Sequence, residues 1–169
     1  MKNIVLTGFM GTGKTAVGRE LSRILNMKLV DVDTEIELSQ KMTINDIFKN
    51  YGESRFREIE TEMIKKIADE QNIIISTGGG AVLKSENIEV LRKNGVIFCL
   101  NANPETILER TSLSEERPLL KVDDPMTKIK ELLDYRRPFY EKAGITIETD
   151  DKTPLEVAEE IIEDFKCRR

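Results

Sequence analysis

The chain has 169 residues, of which 39% are hydrophobic and 34% charged, with a formal net charge of −5 and no histidine. This is one domain's worth of core with globular composition. The acidity argues against broad nucleic-acid binding, which relies on a dense basic face, and the missing histidine excludes a Ser-His-Asp triad, a histidine general base and a histidine-ligated zinc. Apolar runs of strand length at residues 3–7, 28–30, 73–76, 96–101 and 145–148 are separated by segments of helical periodicity at 14–25, 34–39, 43–50, 53–70, 85–94, 104–110, 126–140 and 154–165. Continuous apolar strands alternating with helices predict a five-stranded parallel sheet covered on both faces, a three-layer α/β/α fold. Ser85 is expected to cap a helix, and Pro104 and Pro154 to occupy first turns. Phe56, Ile59, Met63 and Ile67 recur at about one helical turn and read as a core stripe.

No linker or repeat divides the chain, so a single domain spanning 1–169 is expected. Residues 111–124 fit neither period and read as a long loop of the kind that forms lids. No apolar run reaches the roughly 20 residues that span a bilayer, and the apolar stretch after Asn3 is too short for a secretory signal. A cytoplasmic protein with no membrane partner is the expectation. Cys99 lies inside an apolar run and reads as core; with Cys167 it makes neither a disulfide framework nor a metal-ligand spacing.

The most specific motif comes first. Gly8-Phe9-Met10-Gly11-Thr12-Gly13-Lys14-Thr15 matches G-x-x-x-x-G-K-[ST] and stands between a predicted strand and a predicted helix. Glycines there let backbone N–H groups wrap a phosphate at a helix N-terminus. Lys14 is placed to reach β- and γ-phosphates, and the Thr15 hydroxyl to ligate Mg²⁺. Asp31-Val32-Asp33 follows the second strand, where ligands of open parallel sheets bind. One carboxylate is a candidate for the Mg²⁺ shell and the other for a substrate hydroxyl, with helix capping as the alternative. Thr77-Gly78-Gly79-Gly80 ends the third strand, as an open backbone donor site or as a plain turn. Arg57 lies beside the core stripe with Glu60 at i+3 to orient it, Arg117 falls in the lid-like loop, and Arg136-Arg137 precede Pro138-Phe139-Tyr140. Read singly, each arginine is more often a solvated surface charge, and Arg55 and Arg137 stay in that class.

Taken in order, G-F-M-G-T-G-K-T, D-V-D, F-R-E-I-E, T-G-G-G, R-P-L-L and R-R-P-F-Y make the sequence resemble the shikimate kinase family through nearly its whole length. The resemblance implies a P-loop NTPase fold with a core of 1–33, 72–110 and 125–169, an acceptor-binding helical region at 34–71 and a mobile lid at 111–124. It implies ATP phosphates held by Lys14 and the backbone of Gly11, Thr12, Gly13, Thr15 and Ala16, with Mg²⁺ on Thr15 and, through water, near Asp31. Asp33 would serve as base, while Arg57, Arg136 and the backbone at Gly79 would grip shikimate. Glu60 would position Arg57, and Phe48 and Phe56 would form an apolar wall. Arg117 would reach the phosphates from the lid, completing a catalytic set with Lys14 and Asp33, and Arg110 and Thr153 would border adenine. Family members share the absence of a Walker-B aspartate after Ile73-Ile74-Ile75, with T-G-G-G in its place. The implied reaction moves the γ-phosphoryl group of ATP to shikimate, giving shikimate 3-phosphate for aromatic amino-acid synthesis, in a monomer. The alternatives are a kinase of another small hydroxy acid, such as gluconate, and a non-catalytic nucleotide switch.

Overall fold

The computed structural model describes residues 2–112 and 123–168. Five strands, β1 (Asn3–Gly8), β2 (Lys28–Asp31), β3 (Ile73–Ser76), β4 (Gly95–Asn101) and β5 (Ile145–Glu148), form one sheet in the order β2-β3-β1-β4-β5. Every pairing is parallel, so all carboxyl ends lie along one edge. Alternation along the strands sends Val5, Ile73, Ile75, Ile97 and Cys99 into one core, and Ile4, Leu6, Ile74, Phe98 and Leu100 into the other.

Helices α1 (Lys14–Leu25) and α7 (Pro154–Lys166) cover the Ile4–Leu6 face through Val17, Leu21, Val157, Ile161 and Phe165. The other face carries α2 (Val32–Gln40), α3 (Ile44–Ala68) and α4 (Ser85–Asn94), with the Phe56, Ile59, Met63 and Ile67 stripe of α3 buried as predicted. A third cluster joins α5 (Pro104–Ser112) and α6 (Pro125–Ala143) over Phe9, through Ile107, Ile129 and Leu133. Cys99 is buried, as its apolar setting indicated.

Several boundaries differ from the sequence expectation for physical reasons. α3 is interrupted at Gly52, whose φ of 81° and ψ of 171° are not helical, so the two helices read from the sequence meet there at a kink. Ser85 is the first helical residue rather than the cap: Lys84 stands at that position in an extended conformation and makes no side-chain cap bond. α5 continues through Ser112, two residues into the expected loop, because the Thr111 hydroxyl donates back to Ile107 O at 2.6 Å and the residue is buried. α6 passes through Pro138 to Ala143. Residues 113–122 of the expected lid, Arg117 among them, lie outside the described residues.

Candidate active site

β1 delivers the chain into the Gly8–Thr15 loop with three glycines at positive φ: Gly8 (142°), Gly11 (78°) and Gly13 (94°). Gly13 is also the N-cap of α1, makes no side-chain cap bond, and is followed by a first turn without acidic residues. The helix start therefore keeps its positive end open to an anion. The Lys14 ammonium folds back to donate to Gly8 O (2.7 Å) and Phe9 O (2.9 Å), and the Thr12 hydroxyl donates to Phe9 O (2.7 Å). Thr15 is exposed and Ala16 half-buried behind it in the same first turn.

The aspartates of the D-V-D motif divide their roles. Asp31 ends β2 and caps α2, its Oδ1 accepting from Thr34 N (3.1 Å) and the Thr34 hydroxyl (3.3 Å), so the capping alternative holds for this residue. Asp33 sits in the first turn of α2, and its Oδ1 is buried with no hydrogen-bond partner among the described residues. Burial first, then the charges of Asp31 and Glu60, push the Asp33 pKa up to about 6, against the opposing pull of Lys14 and Arg57. Hard oxygen donors on Thr15 and Asp31 are the kind that Mg²⁺ takes, alongside phosphate and water.

Around Gly78–Gly80 the remaining charges converge. A methyl group at Gly78 would stand 2.9 Å from Asp33 Oδ1 and 3.2 Å from Glu60 Oε1. One at Gly79 would stand 3.3 Å from Gly8 O and 3.6 Å from an Arg136 terminal nitrogen; one at Gly80 would strike the Arg57 guanidinium. The glycine loop is thus a floor that side chains from α2, α3 and α6 reach because no β-carbon obstructs them. Arg57 pairs with Glu60 at 2.8 Å and with Glu53 at 3.4 Å. Glu60 is 1% exposed, and its second oxygen, Oε1, has no partner among the described residues. Burial raises the Glu60 pKa despite Arg57 and Arg136. Arg136 is itself buried, with Nε equally unpartnered, and its guanidinium lies 5.6 Å from the Phe9 ring. Phe48 and Phe56 contact each other at 4.7 Å, and the Arg57 guanidinium lies over Phe56 at 5.1 Å.

A separate cavity of about 480 Å³ is lined by Thr106, Glu109, Arg110, Asp151, Lys152 and Thr153. Arg110 is anchored there by bonds to Gly11 O (3.3 Å), Thr149 Oγ1 (3.1 Å) and Thr149 O (3.0 Å), which ties the cavity to the phosphate loop. The Thr153 side chain is spent on the capping box of α7. Lys152, passed over in the sequence, is the cation of that loop, and it pairs with Glu160 at 2.6 Å. Its only sequence signal was its position before Thr153-Pro154. Phe9 was also missed as the ring beneath Arg136, since an x position of the phosphate motif carries no side-chain requirement.

A family model described as shikimate kinase matches residues 10–166. A shikimate kinase of Thermodesulfovibrio yellowstonii is 53% identical over 166 residues, covering 98% of this chain and 96% of the relative. One of Thermoanaerobacter pseudethanolicus is 49% identical over 98% of this chain and 96% of its own length. Among solved structures, shikimate kinase from Acinetobacter baumannii, in complex with shikimate, superposes with a TM-score of 0.94 at 36% identity over 100% of this chain and 95% of that one. The phosphate loop alone would be common to many nucleotide-binding proteins, but these matches extend through the aspartate, glycine and arginine motifs of the second half-site as well, and the chain belongs to the shikimate kinase family.

Proposed function

We propose that this chain transfers the γ-phosphoryl group of ATP to the 3-hydroxyl of shikimate, giving shikimate 3-phosphate and ADP on the route to aromatic amino acids. Family membership supports the reaction. The observation that carries the choice of acceptor is a pair of arginines from different helices, one of them buried with an unpartnered nitrogen, meeting over the glycine floor. Such a pair suits a carboxylate, which accepts parallel hydrogen bonds from a guanidinium fork.

ATP would place its phosphates on the Gly11–Ala16 backbone, with adenine toward Arg110 and the Thr153 loop. Lys14 would leave its two carbonyls for the phosphate oxygens and stabilise charge as the γ-group moves. Mg²⁺, fitted by Thr15 and more remotely by Asp31, would neutralise phosphate charge when bound. Shikimate would rest on Gly79 with its carboxylate on Arg57 and Arg136 and a hydroxyl against Asp33. With its pKa near 6, Asp33 is ionised at neutral pH yet more basic than an ordinary aspartate, which suits it to take the hydroxyl proton. Arg117 is assigned to the phosphates on the family pattern alone. The single-domain division, monomeric state and cytoplasmic setting belong to the same reading. The free Cys99 and Cys167 accord with a reducing compartment, and no described helix is long and apolar enough to cross a membrane.

A coupled assay of ADP release tests this directly. Shikimate should raise the rate far above the rate with ATP alone, and gluconate should not. Equal rates with and without any acceptor would overturn the kinase reading.

A further inference from the structure

Tyr140 is a residue that the acceptor chemistry above does not use, although it reaches the glycine floor from α6. Its ring packs against two of the core clusters, so the side chain has little freedom. The Cys99 thiol donates to the Tyr140 backbone carbonyl at 3.2 Å, which pins the end of α6 to β4. Held this way, the phenol donates to Gly79 O at 2.6 Å, across 61 residues of sequence. Arg136 lies against the same phenol.

Gly79 O belongs to the peptide that also carries the Gly80 N–H. The peptide is trans, as all are among the described residues, so its carbonyl and its N–H point in opposite directions. Fixing the carbonyl on Tyr140 therefore fixes the Gly80 N–H on the side away from Tyr140. That N–H has no hydrogen-bond partner among the described residues, whereas the next one, on Ala81, closes onto Gly78 O at 3.2 Å. Glycine on both sides of this peptide leaves few steric limits on its rotation, so an external hold matters more here than elsewhere.

We propose that Tyr140 is a positioning residue. Its hydroxyl locks the Gly79–Gly80 peptide so that the Gly80 N–H stands as a preset donor for the anionic hydroxy-acid acceptor. The assignment of the acceptor rests on the function proposed above; the lock itself does not. Burial pushes the phenol up to about 12, so the hydroxyl remains a donor throughout the working pH range.

Tyr140→Phe keeps the ring and its packing while deleting the donor. In steady-state assays we expect the KM for shikimate to rise about three- to tenfold, the yield of one neutral hydrogen bond, with kcat and the KM for ATP near wild type. In ligand-free protein, the ¹⁵N–¹H cross-peak of Gly80 should move in the same variant. Incorporating 4-aminophenylalanine at position 140, whose N–H can donate, should restore both. An unmoved Gly80 cross-peak would overturn the lock, and so would KM values for ATP and shikimate that rise together or an unchanged KM for shikimate with only a lower Tm. If the wild type transfers nothing to shikimate, the proposed function fails instead, and the Gly80 cross-peak still decides whether Tyr140 holds the peptide.

Discussion

The phosphate loop and the acceptor pocket meet at Gly8 and Gly79, but they are built on opposite plans. Eight consecutive residues make the first, and its Lys14 and Thr12 side chains are engaged internally, Lys14 donating to Gly8 O and Phe9 O and Thr12 to Phe9 O. The second draws on α2, α3, α6 and the end of β3, and it retains three buried polar atoms without partners among the described residues, Asp33 Oδ1, Glu60 Oε1 and Arg136 Nε. Each such atom costs about 1–3 kcal/mol. The donor side is therefore at rest until phosphate displaces its internal bonds. The acceptor side carries a standing electrostatic cost that a ligand with a carboxylate and hydroxyls can relieve. Specificity is thus expected to reside in the costly half.

Asp33→Asn separates the two plans most strongly. Loss of the charge should lower kcat by about 10² to 10⁴, and in the wild type kcat/KM should fall as pH drops through about 6, where Asp33 takes up a proton. Stability should move the other way. Because the folded-state pKa is raised, the ionised group destabilises the fold above about pH 6, by at most about 3 kcal/mol for a rise from 3.8 to about 6. The variant should accordingly melt several degrees higher at pH 8, with the gain gone below pH 4 where both states bind the proton. A variant that loses activity without gaining Tm would show that the pocket carries no such cost.

Lys14→Ala, on the satisfied side, should lower kcat by about 10² to 10³ while thermal melting stays close to wild type. A large fall in Tm would mean that the loop depends on the ammonium for its shape. Arg136→Lys keeps the charge but not the fork, and should raise the KM for shikimate about ten- to a hundredfold with ATP affinity little changed. An acceptor analogue with a neutral amide in place of the carboxylate should lose much less on going to this variant; equal losses would show that Arg136 does not read the carboxylate. A milder effect than that of Arg136→Lys is expected for Gly80→Ala. Gly80 has φ −95° and ψ −4°, open to any L-residue, so the backbone tolerates the change and the new methyl meets the Arg57 guanidinium first and displaces it. Shikimate KM should rise about tenfold, the scale of one charge-assisted contact, at nearly constant Tm; a loss of Tm comparable to that of a core mutation would place the strain elsewhere.

The two halves also differed in how far the sequence revealed them. Local rules sufficed for the phosphate loop, because glycine spacing, strand and helix are adjacent in the chain, and the same holds for the five strands, whose apolar runs are unbroken. Asp33, Arg57, Gly79 and Arg136 could be placed together only through the family pattern, since residues 33 and 136 share no local signal. The approach of Glu60 and Asp33 to one glycine was not legible at all, because it depends on how α2 and α3 pack. Tyr140 escaped for a similar reason: an aromatic residue near the end of a helix normally signals core, and its hydroxyl contact spans 61 residues. The Ser85 cap failed because a serine before an apolar run is only a propensity, and here the helix begins one residue earlier.

The parallel pairing of β1 with β3 has a consequence for reactivity. Leu6 faces Ser76 in register, and Thr77 N prolongs the ladder onto Leu6 O at 3.0 Å, so the phosphate loop and the glycine floor leave the sheet side by side. The span between the two loops is then gauged by a single interstrand gap of about 4.8 Å, a dimension that hydrogen bonds hold stiff. In-line attack requires the reacting atoms about 3–3.5 Å apart, and a displacement of about 1 Å can cost a hundredfold in rate. In the proposed reaction the sheet would act as a fixed ruler for the attack distance. Ile75, buried in β3 between the ladders to β1 and β2, is part of the sheet that sets this spacing.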